Sequence, residues 1–438
     1  MNLEIDYNSP DKLESLLKNN GFKIKLTGNY NSLKQSYEIK GRKIDNRLAI
    51  HPMEGADANL DGSPGTLTKR RYLRFAAGGA GLIWMEAIAV NKNGRANKKQ
   101  LFLNDKTLAS FKDLNKSIRE EASKYNGNPY LVAQLNHAGR FGENKNIIFR
   151  DEYLDNASRL GNGFHNLKDS ELDKIKGDYL KAARLAKKAG FDAVDIKSCH
   201  RYLLSELLAA HKRGGKYGGS YQNRTRFLKD VIRLIKKNVQ IDLAVRLNIY
   251  DAIPYPNGWS TDSRGRENLS DSQRLLKELD QLGVEIINVT ASTPYLKPHI
   301  NRPFDRGKYN PPESPLNGVV RLMKFNRFTQ KNFSGTVIGT GFSWFRQLAP
   351  DVIAAMVEKG WITMAGFGRL AFAYPDFARD IIKKEKLNPN KICITCSKCA
   401  ELKAAGENSG CVIRDQEIYL SLYRSLIKNR KKSKQSPV

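Results

Sequence analysis

The sequence predicts an α/β fold of the (β/α)8 class, a closed parallel TIM barrel ringed by helices. Three observations predict it. Nearly continuous apolar runs recur eight times along the 438 residues, as expected of strands buried on both faces of a parallel sheet. Each run is followed by a longer stretch, helical in spacing where the pattern is clearest. Polar residues and glycines gather at the C-terminal ends of the runs, where the chemistry of such barrels is placed. An open doubly wound sheet would want a G-x-G-x-x-G turn directly after its first strand. The run ending at Met53 continues instead as "EGADANLDGSPG".

Ahead of the barrel, "SYEIKGRKI" (36–44) reads as a hairpin plugging the base. The eight strand candidates are "RLAIHPM" (47–53), "GAGLIWMEA" (79–87), "YLVAQLNH" (130–137), "FDAVDIKS" (191–198), "DLAVRLNI" (242–249), "VEIINVTAS" (284–292), "GTVIGTG" (335–341) and "WITMAGFG" (361–368). Between strands 3 and 4, the stretch 167–190 has helical spacing, with Asp169 or Ser170 as N-cap and Gly190 as stop. The stretch 221–238 is a second clear helix. Long segments follow strands 1, 3 and 6 and would build the barrel mouth.

Hydrophobic residues make up 40% of the chain and charged ones 27%, a globular balance. No window approaches about 18 consecutive apolar residues, so a membrane span is not expected. The N-terminus "MNLEIDYNSPDKLESLL" has no basic stretch followed by an apolar core, so no secretory signal is read. A cytoplasmic protein is expected, in which clustered thiols suggest metal before disulfide. The formal net charge is +29. Nucleic-acid binding is disfavoured, because the cations are spread along the chain and neither zinc-finger spacing nor an RNP-like aromatic motif occurs. The one dense basic run is the tail, "KNRKKSKQSPV" (428–438). Such a surface also suits acidic substrates or acidic protein partners.

Strands 7 and 8 end in "GTGFS" and "GFGR", where glycine lets backbone N–H groups approach a phosphate and Arg369 adds charge. Gln134 and Arg246 close strands 3 and 5; an amide and a guanidinium there could read a flavin's pyrimidine edge. "VDIKSCHRYLL" offers Lys197 and His200 as two donors to a substrate oxygen, and Tyr202 as a proton donor to carbon. A strand-neighbour ion pair for Lys197 and a packed aromatic role for Tyr202 are equally open on these residues alone. Four of the five cysteines, Cys393, Cys396, Cys399 and Cys411, are spaced C-x2-C-x2-C-x11-C. That spacing admits structural zinc or an iron–sulfur cluster. Cys199 stands apart and reads as a small core hydrophobe.

Taken in order, "IDNRLAIHPM", "AAGGAGLIWMEAIAV", "LVAQLNHAGR", the long "GFDAVDIKSCHRYLLSELLAAHKRGGKYGGSYQNRTRFL", "VIGTGF" and "AGFGRLAFAYPDF" resemble the old yellow enzyme family of FMN-dependent oxidoreductases from about residue 38 to 415. The resemblance implies FMN in the barrel mouth, contacted by Pro52, Met53, Ala87, Gln134, Arg246, Gly341, Gly368 and Arg369. It implies a substrate-binding pair at Lys197 and His200, a proton-donating Tyr202, and NADH or NADPH as electron donor. It also decides the cysteines. A subgroup that includes dienoyl-CoA reductase and trimethylamine dehydrogenase has similar cysteines after the last barrel helix, holding a [4Fe–4S] cluster that exchanges single electrons with FMN.

Two positions depart from the family. It usually has His where this chain has Lys197, and commonly Cys or Thr where this chain has Glu54. A preference for a more anionic acceptor than a simple enone is expected. The subgroup continues into a large FAD- and nucleotide-binding region, whereas only residues 412–438 follow Cys411; electrons are expected directly from NAD(P)H or from an acidic carrier protein. The expected organisation is an N-terminal extension (1–37), the barrel (38–385), the cluster segment (386–415) and a basic helix and tail (416–438). The expected activity is hydride transfer to an activated C=C bond of an unsaturated carbonyl or carboxylate, in a homo-oligomer. Amine dehydrogenation, a non-catalytic electron-transfer subunit and, more remotely, an RNA-binding barrel are the alternatives.

Overall fold

The computed structural model describes residues 9–435. Part of the N-terminal stretch read for a signal (1–8) and the end of the basic tail (436–438) lie outside them. Eight parallel strands close into a barrel: β1 (Leu48–Ile50), β2 (Leu82–Trp84), β3 (Tyr130–Asn136), β4 (Ala193–Ile196), β5 (Asp242–Asn248), β6 (Ile286–Thr290), β7 (Thr336–Gly339) and β8 (Met364–Phe367). Each pairs with the next, and β8 returns to β1 with Gly366 opposite Ala49. All eight expected strands are present, each within the run that predicted it.

Alternation along the strands sorts the residues. Ala49, Leu82, Trp84, Tyr130, Val132, Ala193, Ala244, Ile286, Ile338 and Met364 form a separate buried cluster inside the barrel. Their neighbours Leu48, Ile50, Ile83, Leu131 and Val245 belong to the larger core shared with the helices. The hairpin, Tyr37–Ile39 paired antiparallel with Arg42–Ile44, inserts Ile39 and Ile44 into the interior cluster. It plugs the base, and each fully buried isoleucine contributes roughly 1.5–3 kcal/mol.

Going up the strands two residues at a time, the interior turns polar. Asp195 lies above Ala193 and accepts from Trp84 Nε1 (3.0 Å), Gln134 Nε2 (2.6 Å) and the Arg246 backbone N–H (2.7 Å). Burial lifts its carboxyl to about 6, against the pull of those donors. On β6 Asn288, above Ile286, bonds His51 (3.1 Å). This layer is the floor on which the mouth is built.

The helix after β3 spans Asp169–Lys188, with Gly190 beyond its end at positive φ. Its N-cap is Lys168, one residue before the expected pair. Glu171 accepts from the Lys168 N–H (2.8 Å), and Asp169 instead pairs with Arg213 (2.8 Å). The helix Tyr221–Asn238 spans the predicted residues, capped by Ser220.

Two flanking segments join the barrel. Helix Pro10–Asn19 buries Leu13 and Leu17 in the main core. At the other end, helix Gln416–Gln435 packs Tyr419 against Leu402 and Val412. This C-terminal unit is tied to the barrel by Arg70 and Arg74 on Asp415 (2.8 and 2.6 Å), and by the Ser409 N–H on the Gly55 carbonyl (2.7 Å).

Candidate active site

The chain leaves β4 through two consecutive left-handed residues, His200 (φ 63°) and Arg201 (φ 59°). Such a turn is costly for non-glycine residues and needs anchoring. Arg201 anchors it. Its guanidinium, fully buried, pairs with Asp151 (2.7 Å) and Asp251 (3.0 Å) and donates to the Asn257 carbonyl (2.8 Å). The turn brings Lys197 and Tyr202 together, with the Lys197 ammonium 4.1 Å from the Tyr202 ring centre. The Tyr202 hydroxyl hydrogen-bonds that of Tyr295 (2.6 Å), which is stacked on Phe141 at 3.9 Å between ring centres.

His200 reaches the same mouth but bonds other partners. Its Nε2 lies 3.2 Å from Thr290 Oγ1 and 3.0 Å from Asn301 Nδ2. Lys197 and His200 share no partner among the described hydrogen bonds. Lys197 faces Glu54 at 3.5 Å, and the other oxygen of Glu54 holds Lys403 at 2.6 Å. The two positions that depart from the family therefore face each other.

Electrostatics follow from burial and these pairings. Burial, then Arg246 and Lys197, holds His200 well below the usual imidazole range, so its ring is neutral. Burial, then Glu54 and Tyr295, holds the Tyr202 hydroxyl well above 10, so it keeps its proton. Burial lowers Lys197, an effect that Glu54 opposes. Burial alone would raise Glu54, but Lys403 and Lys197 overcome it and bring the carboxyl down to about 2.

The other expected contact residues lie at strand ends. Ala87 is buried, its carbonyl accepting from Gln100 Nε2 (3.2 Å). Gln134 gives its amide to Asp195. Arg246 donates Nη1 to the Pro52 carbonyl (3.4 Å), and its buried Nε has no partner among the described residues. Gly341 has φ 101°, where a side chain would be strained and its Cβ would press on Leu322. A Cβ on Gly368 would lie 2.8 Å from Met53 Sδ. Arg369 donates to the Pro303 carbonyl (2.7 Å), leaving Nη1 unpartnered. Arg302, on the loop after β6, has the same unused donor; burial and Arg369 lower it to about 10.

Cys393, Cys396, Cys399 and Cys411 line one cavity together with Arg369 and Phe372. Among the described residues no group of three or more His, Cys, Asp or Glu is drawn together closely enough to hold a metal ion. The thiols thus share a cavity without having converged on its centre. Burial raises Cys399, and it lifts Cys393 to about 11 and Cys411 to about 12. Cys199 is fully buried and pushed up to about 12, an inert core position.

The profile of the family described as NADH:flavin oxidoreductase / NADH oxidase matches residues 33–388. The chain belongs to the NADH:flavin oxidoreductase family. It is 27% identical over 363 residues to the NADH oxidase of Thermoanaerobacter brockii, covering 81% of this chain and 51% of that protein. It is 31% identical over 217 residues to the NADPH dehydrogenase of Bacillus subtilis (strain 168), covering 49% of this chain and 62% of that one. The chain thus spans about half the length of the first relative and under two thirds of the second. Solved structures share the fold: a 2-naphthoyl-CoA reductase complex (TM-score 0.69, 18% identity, 88% of this chain and 57% of that one) and morphinone reductase with tetrahydroNAD (0.60, 21%, 82% and 92%).

The NADH:flavin oxidoreductase family implies a flavin, and the residues present fit one. Buried guanidinium donors without partners at Arg246 and Arg369, and glycines at the ends of β7 and β8, are what an anionic, phosphate-bearing cofactor would use. The four thiols fit a cluster in donor chemistry, with the cations Arg302 and Arg369 beside them. Arg201, Tyr295, Asn301, Arg302 and Lys403 escaped the sequence reading. Lys403 alone carried a signal: it lies four residues after Cys399, on the same helical face.

Proposed function

We propose that this chain is an FMN-dependent, NAD(P)H-using reductase of activated C=C bonds, with a [4Fe–4S] cluster on Cys393, Cys396, Cys399 and Cys411. The observation that carries the reading is Tyr202, buried and firmly protonated at the mouth of the barrel, with a lysine ammonium over its ring.

Pro52, Met53 and Ala87 would flank the flavin ring, Gln134 and Arg246 would take its polar edge, and Gly341, Gly368 and Arg369 its phosphate. When bound, FMN supplies hydride transfer, and the cluster single-electron transfer. Lys197 and His200 bind the conjugated oxygen of the substrate: the ammonium brings charge and the neutral imidazole a directional hydrogen bond. Stabilising the enolate that develops there is the main term, roughly 3–4 kcal/mol for a well-placed donor. Tyr202 donates its proton to the α-carbon. Phe141 and Tyr295 cover Tyr202 and exclude water from it.

The organisation into an extension (1–37), barrel (38–385), cluster segment (386–415) and basic tail (416–438) belongs to this reading. So do a cytoplasmic setting, a homo-oligomer and, given the charge of +29, an acidic electron carrier. Lys197 and Lys403 count against an amine substrate, whose cation they would repel.

The test is an anaerobic absorbance spectrum with FMN and iron counted, then a screen of enones, enoates and enoyl thioesters with NADH and NADPH. One FMN and about four iron atoms per chain, with turnover of at least one acceptor class, are expected. A colourless protein sinks the reading. A coloured protein that reduces none of these acceptors favours an electron-transfer subunit.

A further inference from the structure

Three charged side chains form a line from the surface inward. Lys403 is the outermost, its side chain 34% exposed; Glu54 follows at 10% and Lys197 at 2%. Glu54 divides its two oxygens between the ammoniums, 2.6 Å to Lys403 and 3.5 Å to Lys197. The inner end of the line lies over the Tyr202 ring at 4.1 Å. Each member comes from a different part of the chain: the loop after β1, the end of β4, and the helix Lys398–Ala404 that begins between the second and third cysteines of the motif.

Two ammoniums and one carboxylate leave a net charge of +1 beside a buried tyrosine. Charge held in such surroundings is costly unless it is matched. Arg246 lies within electrostatic reach of Lys197 and adds to the positive field, while Glu86, within reach of Lys403, is already paired with Arg71. A neutral acceptor leaves the excess unmatched, whereas one carboxylate balances it. The longer contact, at Lys197, leaves that ammonium with the freer hydrogens, which need an acceptor.

We propose that Lys403, carried into the mouth by the cysteine segment, is a substrate-specificity residue, and that with Lys197 it selects acceptors bearing one carboxylate, namely α,β-unsaturated monocarboxylates. Glu54 is the positioning residue that bridges the two ammoniums and offsets their repulsion. This deepens the functional reading above and rests on it. It makes the segment after the barrel part of the substrate site, in addition to its role toward the thiols.

The experiment uses the full-length holoprotein, oxidised and without NAD(P)H. Cinnamate and cinnamamide, alike in shape and different in charge, are titrated by calorimetry and by perturbation of flavin absorbance. Cinnamate is expected to bind about tenfold more tightly or better, the range for a hydrogen bond to a charged group. Lys403→Met should lower that preference about fivefold or more while cinnamamide binding and iron content stay as they were. Lys403→Arg should keep the preference, and Glu54→Gln, which removes the competing carboxylate, should raise it.

Equal binding of the two probes, or an unchanged preference in Lys403→Met, overturns the proposal. So does a loss of cinnamamide binding and iron together in Lys403→Met, which would make the lysine a structural tether. Reduction of neutral enones with no preference for the carboxylate would leave the functional reading standing and this inference refuted. Carboxylate preference without any C=C reduction would do the reverse.

Discussion

The hydroxyls of Tyr202 and Tyr295 lie 2.6 Å apart, and of the two rings only that of Tyr295, 38% exposed, reaches solvent. The hydroxyl of Tyr202, the proposed proton donor, is thus buried behind a partner that itself touches solvent. Replacing Tyr202 with Phe should lower turnover about 10²–10³-fold, within the range for a lost general acid, with FMN content unchanged. Tyr295→Phe should cost less and should fall on kcat. Steady-state rates with one enoate measure both; full activity in Tyr202→Phe would remove it from the mechanism.

Lys197 is lowered by burial and partly restored by Glu54. A lysine below its ordinary 10.5 loses its charge sooner as pH rises, so binding of an anionic acceptor should fail on the alkaline side before Tyr202 titrates. Glu54→Gln removes the restoring partner and should move this limb to lower pH. Profiles of kcat/KM against pH for the two proteins decide it; an unshifted or upward-shifted limb contradicts the assignment.

The Glu54 carboxyl, at about 2, sits below its ordinary 4.5. Its contribution to stability is complete above pH 4.5 and is lost as pH falls toward 2. Thermal unfolding across that window should therefore show a steeper loss for the native chain than for Glu54→Gln. Identical slopes would mean that the two lysines do not hold it.

Substituting Cys393, Cys396, Cys399 or Cys411 with Ala should remove iron and the broad absorbance near 400 nm while leaving flavin in place. Cys199→Ala, buried in the core away from the four, should leave iron untouched. Iron retained in all four variants would refute the ligand set.

Arg201→Met leaves Asp151 and Asp251 buried without their cation. A loss of roughly 3–5 kcal/mol is expected, together with loss of the turn that carries His200 and Tyr202. Denaturant unfolding measures it, and a change under about 1 kcal/mol would show the network to be dispensable.

Much of the barrel was legible because its strands are buried on both faces: the apolar runs mark their positions, though strands such as Leu82–Trp84 are far shorter than the run 79–87 that contains them. The hairpin was legible for another reason: Ile39 and Ile44 are the buried residues of two short strands set around a glycine turn. Gln134 and Arg246 were named from their own place near a strand end, and the structure puts both side chains in the polar layer around Asp195 and Pro52. Residues whose meaning depends on contact between distant segments could not be named in this way. Glu54 and Lys197 were each visible as odd substitutions, but 143 positions separate them, and no local pattern announces a pair. The cap at Lys168 was missed because Asp169, a better capping residue, is drawn off to Arg213.

The isoleucine stopper at the foot of the barrel has a kinetic consequence. With that end sealed, whatever brings reducing equivalents to the ring by direct contact and whatever accepts them must use the same doorway and cannot both stand in it. Donor and acceptor should take turns, so that double-reciprocal plots run parallel and an excess of either partner slows the other. Intersecting lines would mean that electrons have a second way in, and the wall shared with the four thiols is where it would be sought.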